Sequence, residues 1–269
     1  FLLNDQYDVT ELDTRVDVLS EFSNAVVDAL LSGSLPPPTE LVDVLGPMVD
    51  QGRLSAYAVR GTEQDLLHRL GLSGTLPLVD GTPGASPGDA IAIAFNNAVG
   101  NKIDYYLASS ATYTVSADAR SNTATATLAL TMTNGAPVDG EPSYVIGNPI
   151  GLPVGENRTY VTVFSRLPVH ELQIDGKRVD AEPGFEAGYF TTSAFVQLAA
   201  GESTTLTLTM DGPIDLTDGY VLDARTPPTV APTPIEVEVD FRRAGTHEGD
   251  VERVVATRHD PGRLHVDVS

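Results

Sequence analysis

The hydrophobic pattern of this chain changes its period near residue 107, and that change constrains the fold most. Before it, apolar residues recur every three or four positions, which is typical of amphipathic helices. After it, apolar and β-branched residues alternate, which is typical of half-buried strands. The sequence therefore predicts an α+β protein, with a small α-rich module over residues 1–107 and a β-sandwich domain over residues 108–269.

Three helices and one or two strands are expected in the first module. Helices are predicted from Asp8 to Leu31, from Thr39 to about Gly52 and from Glu63 to Leu70. Residues 54–59 read as a strand, and the short apolar run 90–95 suits a buried strand.

The second part reads as an antiparallel, immunoglobulin-like β-sandwich with extra C-terminal strands. Gly-containing turns such as Asn134-Gly135, Asp175-Gly176 and Asp211-Gly212 separate its alternating segments. The strands are predicted at 113–115, 124–132, 160–164, 171–174, 190–198 and 204–210, and the extra ones at 235–241, 251–257 and 263–268.

The charge balance excludes several classes of partner. The chain has 37 acidic and 16 basic residues, so its net charge is 16 − 37 = −21. Such a chain lacks the basic footprint of a nucleic-acid-binding protein and is repelled by anionic membranes. No apolar run approaches the roughly 18 residues that a membrane span needs. There is no cysteine, which, with the abundant Thr, Ser, Pro and Gly, predicts an exported, extracytoplasmic bacterial protein.

No pattern for catalysis or for a cofactor is found. The sequence lacks the GxSxG, SxxK, GxxxxGK[ST] and GxGxxG motifs, so no catalytic residue and no cofactor are predicted. Three histidines near the C-terminus, His247, His259 and His265, lack the spacing of a metal site, and solvated strand ends account for them. Binding of a structural Ca²⁺ ion by Asp215 and Asp218 stays an alternative, although no EF-hand loop is present to support it. The sequence thus favours a chain that is not by itself an enzyme.

The polar segment 96–106 follows a predicted buried strand and is the one candidate binding site. Its candidate ligand-binding residues are Asn97, Asn101, Lys102, Asp104 and Tyr106. Amide, carboxyl and phenol groups at the end of a strand suit hydrogen bonding to a carbohydrate or a peptide. The alternative is structural: the asparagines form the turn, the lysine pairs with the aspartate or a helix end, and the tyrosines pack at the junction of the modules.

Three segments, taken together and in this order, resemble an uncharacterised family. They are the opening Leu-Leu-Asn-Asp-Gln-Tyr before a long helix, the Asn-x-x-x-Gly-Asn-Lys-x-Asp-Tyr-Tyr-Leu of residues 96–107, and the Phe-Val-x-Leu-x-x-Gly-Glu-Ser-Thr-x-Leu of residues 195–206. The chain resembles the C-terminal half of the actinobacterial envelope family called domain of unknown function 4012. The resemblance covers nearly the whole chain.

The resemblance implies a setting but no catalytic residue. In that family a membrane anchor and a domain related to the LytR-CpsA-Psr phosphotransferases would precede Phe1. The expected function is therefore a non-catalytic, extracytoplasmic cell-envelope module for scaffolding, assembly or binding of cell-wall glycan or protein. The alternative is part of a cell-wall glycopolymer phosphotransferase whose catalytic half precedes Phe1.

The expected partners follow from these interpretations. They are a cell-wall glycan or an envelope protein, including the N-terminal half that the resemblance implies. Free edge strands also leave open a homo-oligomer formed by strand addition.

Overall fold

The computed structural model describes residues 12–33, 37–76, 88–245, 247 and 250–268. In these ranges three helices precede two large, mostly antiparallel sheets and a short fourth helix lies between two strands, so the predicted α+β fold with a β-sandwich is confirmed. The helices are α1 (Leu12–Ser32), α2 (Pro38–Asp50), α3 (Gly61–Arg69) and α4 (Ser143–Ile146). Within the described ranges, no helix has both the length and the apolar character that a membrane span requires.

The strands form one sheet of six and one of seven. In chain order they are β1 (Asp89–Asn97), β2 (Leu107–Asp118), β3 (Thr123–Asn134), β4 (Asn157–Ser165), β5 (Val169–Ile174), β6 (Lys177–Arg178), β7 (Glu182–Glu186), β8 (Tyr189–Leu198), β9 (Ser203–Pro213), β10 (Tyr220–Thr226), β11 (Ile235–Arg242), β12 (Glu252–Arg258) and β13 (Gly262–Val268). The six-stranded sheet has the order β13-β10-β1-β4-β8-β7. The seven-stranded sheet has the order β12-β11-β2-β3-β9-β5-β6.

The core lies between the two sheets and follows from the alternation read in the sequence. In β3 the residues Leu128, Leu130 and Met132 are fully buried, whereas Ala129 and Thr131 between them face outward. Because successive side chains of a strand point to opposite faces, this pattern buries one face of each sheet. One continuous apolar cluster from both sheets fills the interior.

The first strand of the sandwich comes earlier in the chain than the sequence indicates. The run 90–95, assigned above to the N-terminal module, lies in β1 at the middle of the six-stranded sheet. It pairs parallel with β10 and antiparallel with β4. Its first five residues are all buried, because it has a neighbouring strand on each side and both of its faces are covered.

One predicted strand is wrong, and three strands had escaped prediction. Residues 54–59 form no strand; Ala56 N–H donates to Leu72 O at 2.7 Å, and no described strand lies beside them to extend a ladder. The unpredicted strands are β6, β7 and β10. In β10 the alternation is short, and the outward positions carry Asp223 and Arg225, so charge obscures the pattern.

The chain divides into two compact units, Phe1–Pro47 and Met48–Ser269. The first contains α1, whose predicted start at residues 8–11 lies outside the described residues. Along α1 the apolar residues Val16, Phe22 and Val26 are exposed rather than buried. The second unit contains α3, α4 and the whole sandwich.

Candidate functional site

The segment 96–106 joins the two sheets at one end of the sandwich. It leaves β1 of the six-stranded sheet and enters β2 of the seven-stranded sheet through a 3₁₀ turn, Ile103–Tyr106. Ile103 is fully buried and lies in a second, small apolar cluster with Ala136, Val145 and Ile146. The buried Ile103 therefore packs the segment against this small apolar cluster.

The amide groups of Asn97 and Asn101 form hydrogen bonds within the segment and to one neighbouring loop. Asn97 Oδ1 accepts hydrogen bonds from the backbone N–H of Val99 and Gly100, both at 2.8 Å. Asn97 Nδ2 donates to Asn101 Oδ1 at 3.0 Å, and Asn101 Nδ2 donates to Gly147 O at 2.8 Å. These bonds fix the turn and connect it to the loop that follows α4.

Asp104 and Tyr106 have partners from other loops. Asn157 Nδ2 donates to Asp104 Oδ1 at 3.1 Å, and burial raises the pKa of this carboxyl although Asn97, Asn157 and Lys102 oppose the shift. Tyr106 Oη donates to Glu141 Oε1 at 2.8 Å; burial and this bond raise the pKa of Tyr106 to about 12. The Lys102 side chain is exposed.

The structure thus brings the five candidate residues together in one loop. Asn97 hydrogen-bonds within the turn, whereas Asn101, Asp104 and Tyr106 each bond to a residue outside the segment. The exposed residues of the segment 96–106 are Asn96, Gly100, Lys102 and Tyr105, the last of which is 43% exposed. A ligand-binding role for the five residues stays a prediction, and the contacts themselves build the fold.

A second amide, missed in the sequence, ties three chain segments together beside this loop. Asn134 is completely buried at the end of β3. Its Nδ2 donates to Gly155 O at 2.8 Å, Leu198 O at 3.0 Å and Ala199 O at 3.1 Å, and its Oδ1 accepts from Ala136 N–H at 3.1 Å. The pair Asn134-Gly135 indicated a turn in the sequence. The carbonyl partners of Asn134 lie 21 or more residues along the chain, so local sequence patterns could not predict these hydrogen bonds.

A buried carboxylate joins the two sheets. Asp89, at the start of β1, is 3% exposed, and its Oδ2 accepts from Tyr113 Oη at 2.6 Å and from Tyr220 Oη at 2.8 Å. Its Oδ1 accepts from Ala90 N–H at 2.8 Å. Tyr220 belongs to the same sheet as Asp89, whereas Tyr113 belongs to the other. Because the three groups are sealed from solvent, they stabilise the sandwich and cannot meet a substrate.

The residue before Asp89 must be glycine. Gly88 has φ of 125°, and a Cβ there would lie 2.5 Å from Val221 O. Only glycine adopts this conformation without strain and allows so close an approach to β10. Gly88 therefore fixes the point at which the chain enters the sheet with its carboxylate inward.

The Asp89 site predicts a specific pH dependence of stability. Burial raises the pKa of Asp89 above 3.8, and the two tyrosine hydrogen bonds only partly oppose the shift. A carboxyl whose pKa is higher in the folded state favours folding when protonated, so its contribution falls as the pH rises above about 3.8. Compared with Asp89→Asn, the wild-type chain should lose unfolding free energy as the pH is raised from about 3.5 toward neutrality. Urea unfolding of both chains across this range measures it, and a pH-independent difference would contradict the assignment.

Another buried aspartate organises the outer face of the six-stranded sheet. Asp223 is 1% exposed, and its Oδ1 accepts from Arg263 Nε at 2.6 Å and contacts His265 Nδ1 at 2.9 Å. Arg225, two residues along β10, donates to Thr75 O at 2.8 Å and to Gly74 O at 3.2 Å. His265 is thus a partner of a buried carboxylate, where the sequence indicated a solvated strand end. No group of three or more metal-ligating side chains is found in the described part of the chain.

A small cleft lies at the entry to β1. It is lined by Gly88, Asn122, Arg166, Leu167 and residues 213–215, with a volume of about 260 Å³. Pockets for small ligands usually have volumes of about 300–1,000 Å³, so the cleft is marginal. Asp215, at its rim, accepts from Thr217 N–H at 3.0 Å and Thr217 Oγ1 at 2.7 Å, which lowers its pKa.

Comparison with known proteins gives distant structural similarity only. No family model and no curated protein matches this chain. A Legionella pneumophila protein described as nutrient-binding aligns at 8% identity over 56% of this chain and 55% of its own, with a TM-score of 0.33. An M1 zinc metallopeptidase from Deinococcus radiodurans aligns at 14% identity over 58% of this chain and 40% of its own, with a TM-score of 0.32. The chain thus spans about half the length of these proteins or less, and similarity at this level carries no argument about function.

Proposed function

We propose that this chain is a non-catalytic, extracytoplasmic module of the bacterial cell envelope that binds cell-wall glycan and supports a neighbouring protein domain. The observation that supports the non-catalytic part of the proposal is that the side chains of the polar segment 96–106 hydrogen-bond within the fold. Its asparagines hydrogen-bond within the turn and to the loop after α4. A catalytic site would instead need such groups aimed together at an open cleft.

The exposed apolar face of α1 supports an assembly role. Val16 is 51% exposed, Phe22 49% and Val26 42%, and they recur at helical spacing. Exposed apolar stripes of this kind mark surfaces that contact another protein. A domain that precedes this chain in a longer protein, as the resemblance implies, would be a suitable partner.

The charge and the composition fit the same setting. A net charge of −21 favours solubility and disfavours strongly anionic polymers, so the proposed ligand is a glycan of low charge density. The enzymatic alternative stays a prediction, since its catalytic half would lie outside this chain.

Co-sedimentation with insoluble cell-wall sacculi tests the proposed function. The purified chain should pellet saturably with protease-treated actinobacterial sacculi and should stay in solution with cellulose. Because both chain and wall carry negative charge, binding should persist or strengthen when the salt is raised from 50 to 500 mM.

Two outcomes of this assay would contradict the proposal. One is pelleting no greater than that of an unrelated β-sandwich of matched charge. The other is equal pelleting with cellulose, which would indicate non-specific adsorption.

A further inference from the structure

The outer face of the six-stranded sheet carries a group of polar and aromatic side chains that the segment 96–106 does not include. On β4, Arg158, Tyr160 and Thr162 alternate with the buried residues of the core and therefore point outward. On β8, Ser193, Phe195 and Gln197 share this face, because Ala194 and Val196 point into the core. We name the set Arg158, Tyr160, Glu182 and Phe195 the aromatic ladder.

The ladder residues contact one another across three strands. Tyr160 and Phe195 are direct cross-strand neighbours, and their ring centroids lie 4.7 Å apart. The Arg158 guanidinium lies over the Phe195 ring, with Cζ 4.4 Å from the centroid. Tyr160 Oη donates to Glu182 Oε2, on β7, at 2.5 Å. The side chains are thus held in place before any ligand binds.

The ladder is accessible from solvent on one side. Phe195 is 47% exposed and Glu182 is exposed, whereas Arg158 and Tyr160 are half-buried. Beside the ladder, β1 presents Asn96 opposite Tyr160 and Ala94 opposite Thr162.

Arg158 forms no ion pair with any residue in the described part of the chain. Within the described residues its guanidinium contacts the Phe195 ring but no carboxylate at ion-pair distance. Other arginines behave differently: Arg242 pairs with Asp118, Arg253 with Asp240 and Arg263 with Asp223. In a chain with 37 acidic residues, an arginine stacked on a ring and without an acidic partner is suited to receive a carboxylate from a ligand.

We infer that the aromatic ladder binds a saccharide that carries a carboxylate, an inference that rests on the proposed function and locates its glycan site. Exposed aromatic rings offer an apolar surface to the C–H groups of a pyranose. The exposed side chains of Glu182 and Asn96 offer acceptors and donors to its hydroxyl groups, whereas the Thr162 hydroxyl is already bonded to Ser193 at 2.9 Å. Arg158 supplies the donors for the carboxylate. A glycan with isolated carboxylates fits these groups. It also avoids the repulsion that the net charge of −21 would exert on a polyanion.

Calorimetric titration with two soluble probes tests the inference. The probes are a tetrasaccharide of alternating N-acetylglucosamine and N-acetylmuramic acid, which carries lactyl carboxylates, and neutral chitotetraose. Wild type should bind the first more tightly. Phe195→Ala should weaken binding of both about tenfold or more, since it removes the central ring. Arg158→Gln should weaken binding of the acidic probe about tenfold and of chitotetraose less than about threefold.

The chain offers a matched control on the opposite face of the same sheet. Phe185 is 68% exposed and stacks edge-to-face on Phe190, with centroids 5.6 Å apart. Phe190, its cross-strand partner, lies an even number of residues from Ala194 in β8 and therefore points to the same face as Ala194. The pair thus lies on the opposite face of the sheet from Phe195. Phe185→Ala should bind both probes within about threefold of wild type. Far-UV circular dichroism verifies that each variant is folded.

The possible failures are distinguishable. If Phe195→Ala binds as tightly as wild type, or if Phe185→Ala loses as much affinity as Phe195→Ala, the ladder is not the site. If wild type binds neither probe but pellets with sacculi, the ladder inference fails while the proposed function stands. If wild type does neither, both fail.

Discussion

Replacing Asp89 with alanine should lower the free energy of unfolding by about 3–5 kcal/mol. The substitution leaves two fully buried tyrosine hydroxyls, those of Tyr113 and Tyr220, without their acceptor. Each unsatisfied buried donor costs about 1–3 kcal/mol. The loss is large because one carboxylate oxygen accepts from both sheets, and a bond between the two tyrosine hydroxyls satisfies at most one of the two donors.

Urea unfolding at pH 7 measures this effect, and single tyrosine variants provide the comparison. Tyr113→Phe and Tyr220→Phe each remove one donor and leave the other in place. Each should therefore cost less than Asp89→Ala, about 1–2 kcal/mol. An Asp89→Ala chain as stable as either tyrosine variant would show that the carboxylate does not connect the sheets as described.

Asn134→Ala should cost about 2–4 kcal/mol of unfolding free energy. The amide of Asn134 holds the carbonyl groups of Gly155, Leu198 and Ala199, and its oxygen holds the N–H of Ala136. Alanine removes this partner from the buried carbonyl groups of Gly155 and Leu198 and from the buried N–H of Ala136, whereas Ala199 O still accepts from Glu202 N–H. The loops at this end of the sandwich thereby lose their common anchor.

Thermal and urea unfolding both measure the Asn134 effect, and Asn96→Ala is the matched control. Asn96 is an exposed asparagine beside the same loop, so its replacement should change stability by less than about 0.5 kcal/mol. Equal effects of the two substitutions would refute the anchoring role. Asn134→Asp should be at least as destabilising as Asn134→Ala, since it faces carboxylate oxygens toward three carbonyl oxygens.

Strands with a long, clean alternation were predictable from the sequence. In β3 and β9 alternate residues are buried, and both strands were expected close to their observed positions. β10 was missed because its outward positions carry the charged residues Asp223 and Arg225. In the fold these side chains are hydrogen-bonded and largely buried, which the sequence pattern does not reveal. The membership of β1 in the sandwich was missed because a parallel pairing with β10 joins segments far apart in the chain.

The polar segment 96–106 was recognisable, but the partners of its side chains were not. Asn101 reaches a carbonyl 46 residues away, and Asp104 an amide 53 residues away. The Asp89 network is still less local, since Tyr113 lies 24 residues and Tyr220 lies 131 residues from the carboxylate. Residue type and spacing identify a polar loop, whereas only the pairing of strands decides which groups meet.

The measurement that tests the central claim most directly is thermal unfolding of the purified chain with and without soluble cell-wall glycan, with Ca²⁺ measured separately. A ligand at about 100 times its dissociation constant stabilises the folded state by about 2.7 kcal/mol. For a domain of this size the midpoint should rise by about 5–10 °C with the glycan. An unchanged midpoint at every glycan concentration would contradict glycan binding, and a rise with Ca²⁺ alone would indicate a structural ion in place of a glycan ligand.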